Sequence, residues 1–213
     1  HGSAAHSASR VFAQDMLHLF SLAKANSFAE AEGQLQVRNF AYLSLEQFCP
    51  ALNSMIHLRN LMGLRSPVHT LVRLVNPLNA PYSIQGIFHP GYRPVHQEAA
   101  LLLKQAHMTV IKGEGGETER NPDMQCLAQS VHAGELSEEI WPALFPRRHV
   151  KPKILEPEQL IQLWRGEIND EFAEASIIGT TAVALKLMAK AESREAAQLL
   201  ATNYWQKRDK NSY

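Results

Sequence analysis

Four carboxylates and three glycines share the stretch VIKGEGGETERNPD, residues 110–123. Glu114, Glu117, Glu119 and Asp123 offer hard oxygen ligands. Magnesium keeps several waters and binds through one or two carboxylates plus substrate phosphates. Glycines let a backbone approach a diphosphate closely. The stretch matches neither common phosphate loop. No Lys-Ser/Thr follows its glycines, and they fall as G-x-G-G rather than GxGxxG. Two readings stay open: a carboxylate–magnesium–diphosphate site, or a flexible turn with solvated acids.

Other candidates are cationic or aromatic. Arg59, Arg65, His69 and Arg73 could form a wall for an anionic substrate or for nucleic-acid phosphates. The last three are spaced four apart, so a single helix would place them on one face. The alternative is a solvated helix face. FHPGY (88–92) offers His89 and Tyr92 as ligand contacts or proton donors, or simply a Pro-Gly turn. With 10 histidines in the chain, any single one is weak evidence. RRHVKPK (147–153) brings Arg147, Arg148, Lys151 and Lys153 into a possible phosphate-binding patch, or a solvated charge run.

The elements that must position these residues can be read from periodicity. Val11, Phe12, Met16, Leu19 and Phe20 have helical spacing and predict a helix over 8–24. NFAYLSL (39–45) reads as a short strand, and Ser44 with Gln47 resembles a capping box. A helix over 45–62 should end at Gly63. Ser66 and Pro67 should start another, stopped by Asn76-Pro77. SIQGIF (83–88), RPVHQEAALLLKQ (93–105) and HMTVIK (107–112) predict strand, helix, strand. Such a βαβ unit has parallel strands. The loops leaving both strands must then emerge at one sheet edge, where α/β folds bind ligands. His89, Tyr92, Glu114 and Glu117 should face one crevice. Helices are expected over 158–166, 170–190 and 193–207, with a frayed C-terminus.

Composition narrows the class. The 213 residues are 45% hydrophobic and 20% charged, which suits a soluble globular chain with a sizeable core. The 21 basic and 21 acidic residues cancel, so bulk charge does not point to nucleic acid, although a local basic face could. Cys49 and Cys126 suggest no disulfide framework and fit a reducing cytoplasm. No apolar run is long enough to span a bilayer, and no membrane partner is expected.

Residues 50–79, PALNSMIHLRNLMGLRSPVHTLVRLVNPLN, resemble the helical segment of anthranilate phosphoribosyltransferases. His1-Gly2 resembles that family's Lys-His-Gly motif, and loop 113–119 stands where its acidic Asp-Gly-Leu-Asp-Glu motif lies. HPGY, HQEAA, VIKGEGGE and ERNPD are closer to a divergent branch, glycosyltransferase family 3 or YbiB-type DNA-binding proteins. The resemblance covers essentially the whole chain and implies the C-terminal portion of a family chain, truncated at its N-terminus. It implies an α/β fold over 1–213, a largely parallel sheet flanked by helices. A helical hairpin over 46–78 would belong to a small helical subdomain.

By the same resemblance, the cleft binds phosphoribosyl diphosphate (PRPP) with Mg2+, and Arg59 contacts an aromatic amine or base as acceptor. His1 and Gly2 lie beside the phosphate, with His69, His89 and Tyr92 as further substrate contacts. Glu114, Glu117 and Glu119 sit at or near the metal. A homodimer is expected. There are departures. Thr118-Glu119 replaces the family's Asp-Glu pair, with Glu117 offset, and His69 replaces an asparagine. The family's Gly-rich diphosphate loop would lie upstream of His1. These departures argue against anthranilate transfer by this chain alone. The expectation is a pentosyltransferase scaffold with a degenerate metal motif. The alternative is sequence-nonspecific binding of DNA or RNA through Arg59, Arg65, Arg73, Arg147, Arg148, Lys151 and Lys153.

Overall fold

The computed structural model describes residues 11–64, 66–150 and 156–213. In chain order, α1 (Ala13–Met16) runs into a 3-10 turn (Leu17–Phe20). There follow β1 (Lys24–Ala25), α2 (Phe28–Arg38), β2 (Tyr42–Leu43), α3 (Leu45–Phe48), α4 (Pro50–His57), α5 (Arg59–Met62) and α6 (Val68–Leu71). Then come β3 (Tyr82–Ile87), α7 (Tyr92–Leu102), β4 (His107–Lys112), β5 (Cys126–His132) and β6 (Glu135–Trp141). The chain closes with α8 (Glu158–Arg165), α9 (Glu171–Leu187) and α10 (Arg194–Gln206). No described helix is long and apolar enough to cross a membrane.

The chain divides into two compact units. The first takes the described residues through Leu78, residues 156–168 and Lys210–Tyr213. Here β1 and β2 pair in parallel around α2. Ala25, Ala31 and Leu43 form its buried cluster, with Ala41, Phe48 and Leu78 packed against it. Helix α2 starts where Ser27 Oγ accepts from the Glu30 amide, while the Glu30 carboxylate accepts from the Asn26 amide. That arrangement satisfies two otherwise unpaired donors of the helix start. Ser44, the expected capping-box residue, occupies an N-cap position but makes no side-chain cap.

The helix expected over 45–62 is three helices. Pro50 has no amide to donate and pushes the residue before it out of helical geometry. Cys49 accordingly sits at φ −148°, ψ 72°. Gly63 ends the run in the left-handed region at φ 68°, donating to Arg59 O, as expected. The helix expected over 8–24 is cut to α1 and the 3-10 turn. The C-terminus is tied down rather than frayed. Tyr213 meets Phe20 and Trp164 edge to face, and Arg165 donates to its carbonyl.

The second unit takes residues 79–150 and 169–209. Its strands lie in the order β3-β4-β5-β6. β3 and β4 are parallel, in register from Tyr82↔His107 to Ile87↔Lys112, as the βαβ reading requires. β5 and β6 run antiparallel and make the sheet mixed where a largely parallel one was expected. Their turn has only Ala133 and Gly134, at φ 48° and 89°. Two positive φ values define the primed turn that matches strand twist.

Ile87, Ala100, Met108, Val110 and Val131 form the core between sheet and α7. Each fully buried larger side chain there contributes about 1.5–3 kcal/mol. The first two residues of HQEAA pin α7 to the sheet. His96 Nδ1 donates to Gln85 Oε1 at 2.7 Å. Gln97 Nε2 donates to Ser130 O at 2.8 Å and Ser137 O at 3.0 Å. α9 and α10 are capped by Asp170 and Ser193 and pack on each other, and α9 also touches β4.

Candidate functional site

The loop after β4 folds back over the ends of the parallel strands. Gly113 N–H donates to Ile87 O at 3.0 Å, carrying the β3–β4 ladder one step further. The Glu117–Thr118 peptide then packs on Gly86 of β3, and the Glu117 carbonyl packs on Gly113. A Cβ at either glycine would overlap that backbone. Gly116 turns the chain at φ 86° and donates to Gly113 O. Gly115 N–H donates to Glu117 Oε2 at 2.5 Å. The glycines thus serve a tight backbone fold. The loop presents Glu114, Glu117 and Glu119 exposed.

Although Glu119 shows surface to solvent, the protein around its carboxyl disfavours the charge. The negative charge of Glu117 adds to this, and together they raise the Glu119 pKa. Two carboxylates close enough to repel are a donor set that a divalent cation relieves. Among the described residues, no three His, Cys, Asp or Glu side chains converge on a metal position. The loop therefore suits an ion held by two carboxylates and completed by substrate oxygens and water. Asp123 is not part of that set. Its carboxylate accepts from the His149 amide at 2.7 Å and from His149 Nδ1 at 2.6 Å.

The ERNPD half of the stretch is anchored inward. Arg120 is 1% exposed. Its amide donates to Thr180 Oγ1, Nη2 to Pro142 O at 2.5 Å, and Nη1 to Gln198 Oε1 at 3.4 Å. The guanidinium also lies over Trp141, 5.1 Å from the ring centroid. Gly179 of α9 leaves room for the Arg120 side chain. Burial, then the charge of Arg194, lowers the Arg120 pKa from its ordinary value, with Cys126 acting the other way.

Asp123 and His149 tie the chain ahead of residue 151 to this anchor. Burial opposes charge on Asp123. The His149 amide and ring, with Arg148, outweigh it and hold the carboxyl below its usual range. The hydrogen bond to Asp123 raises the His149 pKa despite burial, aided by Glu171, whose Oε2 lies 3.8 Å from Nε2. Phe145 and Phe172 pack edge-on against the ring.

A cavity of about 100 Å³ opens beside the loop, lined by Arg93, Lys112, Glu114, Asn121, Met124, Gln125, Cys126 and Leu127. Sequence reading overlooked Arg93 and Lys112. The signal was present: Arg93 follows HPGY and Lys112 ends β4, so βαβ geometry puts both at one sheet edge. Burial raises the Cys126 thiol pKa, although Arg120 and Arg93 pull it down.

The remaining expected residues are placed as follows. His89 and Tyr92 are exposed beyond β3, where His89 meets Phe88 edge-on at 4.7 Å and lies 6.1 Å from Tyr92. The first unit holds Arg59, at the start of α5, together with His69 and Arg73. α6 holds His69 but ends before Arg73, so the shared helical face does not form. His69 Nδ1 lies 3.3 Å from Ser66 N and 3.1 Å from Ser66 O, engaged in its own turn. Arg147 and Arg148 are exposed. His1, Gly2, Arg65, Lys151 and Lys153 lie outside the described residues.

The parallel βαβ unit with its acidic, glycine-shaped loop belongs to an α/β protein whose fold matches solved phosphoribosyltransferases. The particular likeness, in sequence and in fold, is to anthranilate phosphoribosyltransferases. The enzyme of Novosphingobium aromaticivorans is 30% identical over 137 residues, 64% of this chain and 41% of that protein. That of Verminephrobacter eiseniae is 28% identical over 158 residues, 71% of this chain and 46% of that protein.

Among solved structures, anthranilate phosphoribosyltransferase from Thermus thermophilus matches at TM-score 0.73 and 21% identity, covering 95% of this chain and 61% of that one. The Saccharomyces cerevisiae enzyme in complex with PRPP and Mg matches at TM-score 0.75 and 17% identity, covering 99% and 60%. The match spans less than half the length of these curated relatives. No family model matches the chain.

Proposed function

We propose that the chain is a phosphoribosyltransferase-type protein whose loop 113–119 binds Mg2+ and, through it, the diphosphate of PRPP. The observation that carries this reading is the loop itself. It is held by backbone packing on Gly86 and Gly113 at the carboxyl end of parallel strands, with Glu117 and Glu119 close enough to repel. Magnesium would neutralise charge on the diphosphate leaving group. The chain's own part is positioning. Glu117 and Glu119 hold the cation, with Glu114 beside the cavity that Arg93 and Lys112 line.

Likeness to the relatives supports Arg59 as the contact to an aromatic amine or base, and His89 and Tyr92 as a ring-lined approach. Tryptophan biosynthesis is the pathway those relatives' name suggests. A homodimer is in keeping with exposed Leu58, Leu61, Met62 and Leu64 on and beside α5, apolar surface that water does not favour. The test is calorimetric titration of PRPP with and without Mg2+. Magnesium-dependent binding that Glu117→Gln with Glu119→Gln abolishes supports the reading, and absence of any PRPP binding overturns it.

One observation favours a second reading, a nucleic-acid surface. Phe88, His89 and Tyr92 form an exposed ring cluster, and Arg147 and Arg148 are presented outward on a segment clamped by His149. Rings that stack bases beside arginines that meet phosphates are the usual equipment for single strands. Binding to single-stranded DNA that falls steeply with salt, and is weakened by Arg147→Ala with Arg148→Ala, supports it.

A further inference from the structure

Tyr82, His107, His132 and Glu135 form one row across the four strands of the second unit. Tyr82 pairs with His107, His107 with His132, and His132 with Glu135. Directly paired residues on neighbouring strands point to the same face. Tyr82 stacks on the His107 ring at 4.8 Å and 16°, which fixes that ring's orientation. The two histidines then meet Nδ1 to Nδ1 at 3.2 Å. Both are partly exposed.

We propose that His107 and His132 form a two-histidine site for a borderline transition-metal ion, with zinc as the ion of reference. Imidazole nitrogens bind zinc at about 2.0–2.1 Å, and a tetrahedral angle between two of them separates the nitrogens by about 3.3 Å. The observed separation meets that requirement without moving either strand. Imidazole pairs select zinc, copper or nickel over magnesium, which prefers oxygen. The row lies at the start of β4. The acidic loop follows its end, about 17 Å away at five strand steps. The two cation sites are therefore independent.

Glu135 continues the row with an exposed carboxylate but does not converge with the two rings, so water fills the remaining positions. Lys186 adds a positive charge near His132. That charge lowers affinity for a cation without occupying either nitrogen. A bound ion would cross-link β4 to β5 near the β5–β6 turn, clamping the antiparallel half of the sheet to the parallel half.

The test is a titration of the metal-free, untagged chain with zinc, followed by calorimetry and by NMR of the histidine rings. The expected result is one equivalent of zinc, shifting the His107 and His132 resonances first. His107→Gln and His132→Gln should each abolish it, while Glu117→Gln with Glu119→Gln leaves it unchanged. A wild type that binds no zinc overturns the proposal. So does zinc that first shifts other histidines, which reads out even if a variant fails to fold. Retained binding in the His107→Gln, His132→Gln double variant overturns it equally.

Discussion

The two halves of residues 113–123 sit side by side in sequence and do opposite work. From 113 to 119 the backbone carries the structure. Glycines at 86 and 113 let a peptide lie against the strand ends, and the acidic side chains are left facing water. From 120 to 123 the side chains carry it. Arg120 is enclosed by a carbonyl, an amide oxygen and an indole, and Asp123 is spent on His149. An apparently continuous acidic motif is thus a presented half and an anchoring half. Counting carboxylates across both overstates the ligand set.

Substitutions can break this contrast, and the largest effect belongs to the anchor. Arg120→Ala removes the guanidinium from its enclosure and leaves Pro142 O unpaired. It should cost about 4 kcal/mol in chemical denaturation, from cavity and lost hydrogen bonds together. A loss below about 1 kcal/mol would mean the anchoring half anchors nothing. Gly113→Ala drives a methyl into the Glu117 carbonyl and should cost about 3 kcal/mol, shown by an early melting transition. Outside both halves, Ala133→Gly relieves a left-handed alanine and should add about 1 kcal/mol, seen as a later denaturation midpoint.

Glu117→Gln with Glu119→Gln should change stability by no more than about 0.5 kcal/mol while removing magnesium-dependent binding. A large stability loss instead would make the loop acids structural.

The last effect is local. The raised His149 pKa contributes fully below the ordinary value of 6.5 and is lost as pH rises through the folded value. The lowered Asp123 pKa contributes above 3.8 and is lost as pH falls through its folded value. Exchange protection of the His149 amide should therefore be highest between pH 3.8 and 6.5. It should decline on either side, and His149→Gln should abolish the alkaline decline.

The parallel half was legible because its signals were local and mutually consistent. SIQGIF, the turn HPGY, the helix after it and HMTVIK followed one another within 30 residues. The antiparallel hairpin was missed for physical reasons. Ala133 stands where a primed turn usually shows Asn, Asp or Gly, and ELSEEIW buries only Trp141, so neither turn nor strand stood out. The exposed loop acids were legible by residue type. That Asp123 belongs to His149 was not, since a 26-residue separation leaves no periodic trace. The cations of the cavity were within reach of the βαβ geometry and went unread because single basic residues carry no pattern. Gly86 held a clue: a glycine inside a strand marks a close approach of other backbone.

Among the described residues β6 is an outermost strand of the sheet, and along it run Glu135, Glu138 and Glu139. An unpaired strand rim is a template on which another extended chain can add itself. Glutamates along that rim make two such rims repel at neutral pH, so the fold keeps its open border from recruiting copies of itself. That safeguard is electrostatic, and added salt screens it. At high salt the same rim, with Leu136 and Ile140 half exposed, is where aggregation of this protein should begin.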